Sequence, residues 1–251
     1  MRSAPKISVV VPAYNEEEYL PTTLASLRQA AEHYRRERGA EIEIIIVDNN
    51  STDRTTEVAL QCGADVVVSE PINQISRARD TGAHRALGEW LAFCDADNRV
   101  TENLFVAIHD NLSQPDVIGG GTLVKPEKFN FTVAICFAAW KLFSVFGRVG
   151  VGVLHCRKTD FDRFGGFSEE LFAGEDVRFA YDLKKLGRAT GCPRFVVRRD
   201  AAITTSMRKT DEFSFPTIAC RLLRMAFGMQ RKLRDKRYCG LWYDVSRGKG
   251  K

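Results

Sequence analysis

The stretch LAFCDADNRV (Leu91–Val100) ends an apolar run at two carboxylates, Asp95 and Asp97, which are one residue apart. An apolar run of this length fits a buried strand, and an open α/β sheet binds ligands at the carboxyl ends of its strands. Two such close anions repel each other unless a positive charge joins them. The pattern predicts a site for a divalent cation, Mn²⁺ or Mg²⁺, which would bridge to phosphates. The alternative is that Asp97 and Asn98 cap the helix that starts near Thr101, or lie in a turn.

Upstream of this stretch, apolar strands alternate with helical patterns. Strands are predicted at Ile7–Pro12, Ile42–Val47, Asp65–Val68 and Trp90–Cys94, and helices at about 17–38, 53–61 and 75–87. Continuous apolar strands that alternate with helices indicate an α/β fold with a mostly parallel, Rossmann-like sheet covered on both faces. Neither a GxGxxG nor a Walker A sequence occurs, which disfavours a dinucleotide oxidoreductase or a phosphate-loop NTPase.

After residue 101 the pattern becomes mixed. A helix to about Asn111, a strand near 117–124, a helix from about 175 to 186 and one or two strands within RFVVRRDAAITTS are predicted. Because no repeat or flexible linker interrupts the chain, we predict one domain over residues 1–212, whose first part looks like a nucleotide-binding half. The apolar segment Phe129–Leu154 is interrupted by charges and glycines. It fits an amphipathic helix against the protein body or at a membrane surface better than a membrane span.

Composition limits the compartment and the partners. The chain has 251 residues, a formal net charge of +5 and seven cysteines without a CxxC pair, a set typical of reduced thiols in a cytoplasmic protein. The start of the sequence does not resemble a signal peptide. The basic tail, residues 213–251, predicts an amphipathic helix that lies on an anionic membrane, here the inner face of the plasma membrane, or docks on the protein. No nucleic-acid motif accompanies the charge, so no nucleic-acid partner is expected.

Further polar residues follow the other strand ends. The loop PAYNEEE after the first strand contributes the candidate binding residues Pro12, Ala13, Tyr14 and Glu16. Asp48 could accept a hydrogen bond from a base or ribose, or form a turn, whereas Asp53 fits a helix cap. Arg79 could offer its planar fork to a phosphate or base, or pair with Asp80 or Glu16 at the surface. Since the ends of parallel strands meet at one sheet edge, these loops predict a shared site.

A second acidic pair, Glu175 and Asp176, follows Gly174 at the start of a predicted helix. Acidic residues are favoured in a first helical turn for structural reasons alone. A carboxylate in a pocket beside an acceptor hydroxyl can instead act as a general base. The lone His155 and the cysteines nearest these motifs are interpreted as core residues.

Taken in order, these motifs resemble those of the family 2 glycosyltransferases with the GT-A fold. The similarity lies in VVVPAYNEEEYLPTTLASL, VDNNSTDRT, ISRARDTGAHRALGEWLAFCDADN and GGFSEELFAGEDVRFAYDLKKLGR, which span Ile7 to Arg188. The resemblance implies an inverting, metal-dependent hexosyltransferase. Its domain would have a nucleotide-sugar-binding half (1–112) and an acceptor-binding half (113–212). It would move a sugar from a UDP- or GDP-sugar to a hydroxyl or lipid-phosphate acceptor, carbohydrate or lipid-linked, in cell-envelope polysaccharide, glycolipid or glycan synthesis.

The resemblance also implies roles for individual residues. Asp48 would contact the base with Arg79 nearby, Asp95 would touch the ribose or the metal shell, Asp97 would hold the cation on the diphosphate, and Asp176 would be the catalytic base with Glu175 beside it. The pair Arg79-Asp80 departs from the family's Arg-Asn. No histidine follows His155 to complete a metal shell, which leaves water, or Arg208 on the diphosphate.

Two other classes of function remain open from the sequence. A metal-dependent nucleotidyltransferase would also join a Rossmann-like half to carboxylates, but it usually has a glycine-rich basic loop where PAYNEEE is acidic. A catalytically silent scaffold of the same fold would not need both acidic pairs.

Overall fold

The computed structural model describes residues 4–128 and 152–206, together with residues 234, 235, 237 and 239. In these residues the strands are β1 Pro5–Ala13, β2 Glu41–Asp48, β3 Val66–Ser69, β4 Trp90–Phe93, β5 Asn98–Arg99, β6 Val117–Pro126, β7 Leu154–Arg157 and β8 Arg194–Thr205. The helices are α1 Leu20–Arg38, α2 Thr55–Gln61, α3 Ile75–Arg85, α4 Leu104–Leu112, α5 Lys158–Phe164 and α6 Glu175–Thr190. No helix in these ranges is long and apolar enough to cross a membrane.

The eight strands form one sheet in the order β3-β2-β1-β4-β7-β6-β8-β5. Strands β1 to β4 are parallel to one another, with β1 between β2 and β4. Strand β7 runs antiparallel to both β4 and β6, and β5 runs antiparallel to β8. The predicted α/β fold with a mostly parallel sheet is therefore confirmed, with antiparallel strands where the second half of the chain joins the first.

The sequences of the central strands explain why helices cover both faces. Val9, Val10 and Val11 of β1 are all fully buried, and alternate side chains point to opposite faces of a strand. Val9 and Val11 belong to a hydrophobic cluster with residues of α1 and α4, whereas Val10 belongs to a cluster with residues of α3, α5 and α6. Helix α3 can lie close to the sheet because Gly82 has no side chain. A Cβ at this position would overlap Cγ1 of Val10.

An aromatic cluster supports the second half of the sheet. The rings of Phe167 and Phe179 stack with centroids 4.4 Å apart, and the ring of Phe93 meets Phe167 edge-on at 4.8 Å. Phe179 lies on α6 and Phe93 ends β4, so the cluster fixes the first turns of α6 beside the end of β4. Such offset and edge-on pairs are the favoured geometries of aromatic side chains.

Two expectations from the sequence are wrong in detail. Asn98 does not cap a helix, because it lies in β5 and pairs with Thr205, and α4 begins only at Leu104. Strand β7 and helix α5 were not predicted, and Leu154 begins a strand where an amphipathic helix was expected to end. The rest of that expected helix, residues 129–151, lies outside the described residues.

His155 has the structural role that its sequence context indicated. It is fully buried in β7, with Nε2 3.0 Å from Nδ2 of Asn111 and Nδ1 3.1 Å from the carbonyl oxygen of Val153. Burial lowers the pKa of His155 to about 4. The neighbouring Cys156 and the strand-end Cys94 are also fully buried, as core residues are.

Candidate active site

The loops after β1 and β2 are fastened to each other. Oδ1 of Asn15 accepts a hydrogen bond from the amide of Thr52 at 2.8 Å, and the amide of Asn15 donates to Oγ of Ser51 at 3.0 Å. Asn15 has a φ of 52° and Asn50 a φ of 66°, left-handed values that asparagine tolerates better than most residues. The two loops therefore form one ordered edge of the site.

The four predicted binding residues of the first loop lie at this edge. Pro12 and Ala13 are the buried last residues of β1, and Tyr14 is half-buried. Glu16 is 3% exposed, and its carbonyl accepts hydrogen bonds from the amides that begin α1. Its own amide donates to Oγ1 of Thr55 at 2.8 Å. The first loop thus joins the starts of α1 and α2.

Asp48 uses both carboxylate oxygens within its own loop and helix. Oδ1 accepts from the amide of Ser51 at 2.9 Å, and Oδ2 accepts from Oγ1 of Thr56 at 2.8 Å. These bonds match the turn-forming alternative, and contact with a nucleobase stays a prediction. Asp53 lies one residue before Arg54, which is the N-cap of α2, and its Oδ1 accepts from the amide of Thr55, the first residue of that helix, at 2.9 Å. Asp53 therefore supports the start of the helix from outside the N-cap position.

The loop after β3 is joined to the same edge. Oδ1 of Asn49 accepts from the amide of Gln74 at 3.1 Å, and the amide of Asn49 donates to the carbonyl of Ala13 at 2.8 Å. Asn49 therefore connects the ends of β1, β2 and β3, as the expectation of converging loops requires. The motif SRARDTG itself lies inside α3, so Arg79 reaches the site from a helix and not from a loop.

The D-x-D motif at the end of β4 is held from both sides. Oγ1 of Thr23 on α1 donates to the carbonyl of Ala96 at 2.7 Å. Oγ of Ser206 donates to Oδ2 of Asp97 at 2.7 Å. Ser206 follows β8 and is 109 residues from Asp97, so only the pairing of β5 with β8 brings the two together. The sequence placed no role on Ser206.

The chemistry of this pair fits a hard cation that carries other ligands. In the part of the chain that the structure describes, no group of three or more His, Cys, Asp or Glu side chains could hold a metal ion. Asp95 and Asp97 alone supply too few ligands for a calcium or zinc cage. Two carboxylates are typical of Mg²⁺ and Mn²⁺ sites in which phosphate oxygens and water complete the shell.

Arg79 joins the two acidic pairs. Its Nη1 donates to Oε1 of Glu175 and its Nη2 donates to Oδ1 of Asp95, both at 2.8 Å. The Arg79 side chain is 7% exposed, and its guanidinium carbon lies 5.1 Å from the ring centre of Phe167. Burial lowers the pKa of Arg79, but the facing carboxylates outweigh burial and raise it. The alternative that Arg79 forms a surface pair with Asp80 or Glu16 is wrong.

Glu175 and Asp176 begin α6 after Gly174, whose φ of 76° is left-handed. The Glu175 side chain is 8% exposed. Asp176 is half-buried, and its Oδ1 accepts from the amide of Val177 at 2.7 Å. Burial raises the pKa of both carboxyls, and Arg79 opposes that rise. The structure therefore brings together the acidic pairs that the sequence separates by about eighty residues.

Asp80, the departure from the family's Arg-Asn, supports the turn before α6. Its Oδ1 accepts from the amide of Phe167 at 2.9 Å. Gly166 has a φ of 77°, which favours glycine, and a Cβ there would lie 2.6 Å from that same oxygen. Both the backbone conformation and the close contact therefore favour glycine at this position. Burial raises the pKa of Asp80 to about 7. In the sequence, Asp80 was noticed only because it follows Arg79.

Two described residues of the predicted tail, Arg234 and Cys239, lie near the start of α6. Arg234 forms an ion pair with Glu170, with Nη2 2.7 Å from Oε2. Cys239 is fully buried, and burial together with the charge of Glu175 raises its pKa to about 11. The remainder of the tail, including residues 207–233 and Arg208, lies outside the described residues, and with it the expected membrane helix.

The sheet order, with one acidic pair after β4 and the other at the start of α6, matches the GT-A class of α/β fold. The family model described as Glycosyl transferase family 2 matches residues 8–157, which is more than half of the chain. The chain therefore belongs to this family, and the predicted family is confirmed.

Individual relatives agree with this assignment. The probable glycosyltransferase YdaM of Bacillus subtilis is 26% identical over 210 residues, which are 74% of this chain and 48% of that protein. The chain thus spans about half the length of this relative. A mannosyltransferase of Pyrobaculum calidifontis, solved with GDP-Man and Mn²⁺, matches with a TM-score of 0.68 and 18% identity over 92% of this chain and 63% of its own. TarS residues 1–349 of S. aureus, solved with UDP-GlcNAc, match with a TM-score of 0.61 and 19% identity over 98% of this chain and 74% of theirs. At these identities the two structures show the fold.

Proposed function

We propose that this protein is an inverting, metal-dependent glycosyltransferase that moves a sugar from a UDP- or GDP-sugar to a hydroxyl or lipid-phosphate acceptor. The observation that carries the proposal is the Arg79 side chain, which donates hydrogen bonds to Asp95 of one acidic pair and to Glu175 of the other. Two acidic pairs joined in this way suit a reaction that needs one group at the leaving diphosphate and another at the nucleophile. The GDP-Man and UDP-GlcNAc bound to the structural neighbours support a nucleotide sugar as donor.

On the donor side, Asp97 and Asp95 would hold the cation. When bound, Mn²⁺ or Mg²⁺ would neutralise the negative charge that develops on the leaving diphosphate. The ordered edge formed by the first two loops would hold the nucleoside. Its residues Pro12, Ala13, Tyr14 and Glu16 would line the binding surface, and Asp48 would contact the nucleobase. Because side-chain and backbone hydrogen bonds already connect these loops, little ordering would be needed when the donor binds.

On the acceptor side, Asp176 would be the general base. As the acceptor oxygen forms its bond to the anomeric carbon, the hydroxyl proton passes to the Asp176 carboxylate. The bond between that carbon and the phosphate oxygen breaks, and its electron pair leaves with the diphosphate. Attack from the side opposite the leaving group inverts the anomeric centre. The raised pKa of Asp176 makes its carboxylate a stronger base than an exposed aspartate.

The cellular setting follows from the same proposal. A cytoplasmic enzyme that acts on lipid-linked acceptors would work at the inner face of the plasma membrane. The basic residues of the tail, from 213 to 251, would supply contact with anionic lipids. Products of such transfers are cell-envelope polysaccharides, glycolipids or glycans.

A nucleotidyltransferase is the second candidate, but the described loop after β1 is acidic and buries Glu16 where that chemistry needs a basic phosphate cradle. A silent scaffold is the third. A scaffold that only binds partners would not require a buried guanidinium that holds two carboxylates at one site.

A thermal-shift panel tests the proposal directly. UDP-glucose, UDP-N-acetylglucosamine and GDP-mannose are each added with and without Mn²⁺. One of them should raise the unfolding midpoint only when Mn²⁺ is present, since a ligand at 100 times its Kd stabilises by about 2.7 kcal/mol. Release of UDP or GDP from that donor then identifies transfer. A midpoint that no nucleotide sugar moves in the presence of Mn²⁺ would exclude the proposed donor class.

A further inference from the structure

The Arg79 guanidinium lies between the donor side and the acceptor side of the site. We propose that Arg79 is a positioning residue that fixes Asp95 and Glu175 relative to each other, and that it is not a ligand of the nucleotide. The inference deepens the proposed function and rests on it. It also changes the role of Glu175, which orients the start of α6 and leaves proton transfer to Asp176.

The surroundings of Arg79 leave little room for a phosphate or a base. Nη1 and Nη2 each donate to a carboxylate oxygen at 2.8 Å, and the ring of Phe167 covers one face of the guanidinium. The side chain is 7% exposed, and its buried Nε has no hydrogen-bond partner in the described residues. A diphosphate would have to displace Asp95 or Phe167 to reach this charge.

The charge of Arg79 has two opposite effects on cation binding at Asp95. It orders the Asp95 carboxylate, whose side chain is 49% exposed. It also places a positive charge beside the carboxylate that would hold a cation, and like charges repel. Removal of this charge should therefore not weaken cation-dependent nucleotide binding, whereas removal of a nucleotide ligand would weaken it.

On the other side, Arg79 engages the buried carboxylate of Glu175, which precedes Asp176 in the first turn of α6. A buried ion pair that loses one partner leaves the other charge uncompensated, so the structure around it shifts. A shift of about 1 Å in a reacting group can lower turnover about 100-fold. The loss of Arg79 should therefore appear in turnover and not in donor affinity.

The test compares the variants R79Q and R79K with R77Q. Arg77 lies two residues earlier on α3 and also forms ion pairs, with Glu70 and Glu169, so R77Q removes the same charge from the same helix outside the site. Calorimetry measures the affinity for UDP and GDP with Mn²⁺. Turnover is measured as hydrolysis and transfer of the nucleotide sugar that stabilises the wild-type protein.

We expect turnover of R79Q to fall about 100-fold while Mn²⁺-dependent nucleotide affinity is kept or increased. R79K should recover part of the turnover because it keeps the charge, and R77Q should match the wild type. If R79Q loses nucleotide affinity and keeps its turnover at saturating donor, Arg79 is a donor ligand and the inference is wrong. If R79Q behaves as R77Q does, Arg79 has no positioning role.

A second measurement does not depend on activity. The free energy of unfolding is compared for R79Q, E175Q and the double variant. A bridge predicts that the double variant is less destabilised than the sum of the single variants, and additive effects would overturn the inference. If R79Q does not fold, E175Q carries the test, because its turnover should fall while nucleotide affinity holds, and wild-type turnover would refute the bridge. If no nucleotide sugar binds the wild-type protein, the proposed function fails while this cycle still decides the bridge.

Discussion

The two acidic pairs have the same residue types but opposite surroundings. Asp95 and Asp97 lie half-exposed at the end of a strand, where one takes a hydrogen bond from Arg79 and the other from Ser206. Glu175 is buried in the first turn of a helix, and an internal guanidinium supplies its counter-charge. Arg79 pairs with one carboxylate of each acidic pair, so the two pairs differ in exposure: the Asp95 side chain is 49% exposed and the Glu175 side chain 8%. This difference indicates that the strand-end pair can also receive a positive charge from outside the protein.

The two sides also differ in how their backbone is held. The donor-side loops follow consecutive strands and bind one another through asparagine, serine and threonine side chains. The acceptor-side turn depends on Gly165 and Gly166 in left-handed conformations and on Asp80, which is 87 residues from Phe167 in the chain. The loops after β1 and β2 are therefore ordered by contacts between residues 36 to 39 positions apart, whereas the turn before α6 depends on a contact across 87 positions.

The largest effect that separates the two pairs is expected for D176N. The amide cannot take the acceptor proton, so turnover should fall by about 10²- to 10⁴-fold, while Mn²⁺-dependent nucleotide affinity is kept. D182N on the same helix, which loses an exposed pair with Arg178, is the matched control and should match the wild type. Kinetic assays at saturating donor measure the effect, and wild-type turnover of D176N would remove Asp176 as the base.

The reverse pattern is expected for D97A. Without this carboxylate the cation loses a ligand, so Mn²⁺-dependent affinity for UDP or GDP should fall about 100-fold. Calorimetry with and without Mn²⁺ measures this change. D116A, which removes an exposed carboxylate paired with Arg194, serves as the control. An unchanged affinity in D97A would show that the strand-end pair does not hold the cation.

A smaller effect, on the pH dependence of stability, is expected for the buried carboxyl of Asp80. The pKa of Asp80 is raised by burial to about 7, so its protonated form favours the folded state. This contribution is fully present below the unfolded pKa near 4 and is lost as the pH rises through 7. D80N keeps an acceptor oxygen for the Phe167 amide without a buried charge. Relative to the wild type, its free energy of unfolding should therefore rise by about 2–3 kcal/mol between pH 5 and pH 8.

Urea unfolding at the two pH values measures this difference. A D80N variant whose stability changes with pH in parallel with the wild type would show that Asp80 titrates as an exposed aspartate.

The smallest effect is expected for S206A. Its hydroxyl orients Asp97, and the loss of such an orienting hydrogen bond typically lowers metal affinity about 10-fold. S206T keeps the hydroxyl and should retain more of the affinity than S206A does. Equal affinities of S206A and the wild type would show that the strand-end pair does not need this support.

Much of the first half of the fold could be predicted from the sequence. The apolar runs and helical spacings of residues 5–112 are local signals, and β1, β2 and α1 lie within a few residues of their predicted positions. Strand β5 has two residues, too few for a periodic pattern to identify it, and β7 begins at Leu154, the last residue of a segment that was predicted to be an amphipathic helix. Their existence depends on partners that are distant in the chain.

The same physical reason limits prediction of the site. Asp95, Asp97, Glu175 and Asp176 could be selected because carboxylates after a strand or before a helix are unusual enough to notice. The partners of Arg79 could not, since they lie 16 and 96 residues away and the contacts form only when α3 packs on the sheet. Asp80 and Ser206 gave no signal because their roles are hydrogen bonds across the fold.

The place of β7 in the sheet has a consequence for how the chain folds. Residues 154–157 lie between β4 of the first half and β6 of the second, so the parallel strands end at a neighbour that is synthesised some sixty residues later. A fragment that stops at residue 112 would leave the hydrogen-bonding edge of β4 uncovered, and bare edges of apolar strands promote aggregation. We therefore expect that residues 1–112 do not fold on their own, and that truncations between residues 112 and 154 yield insoluble protein.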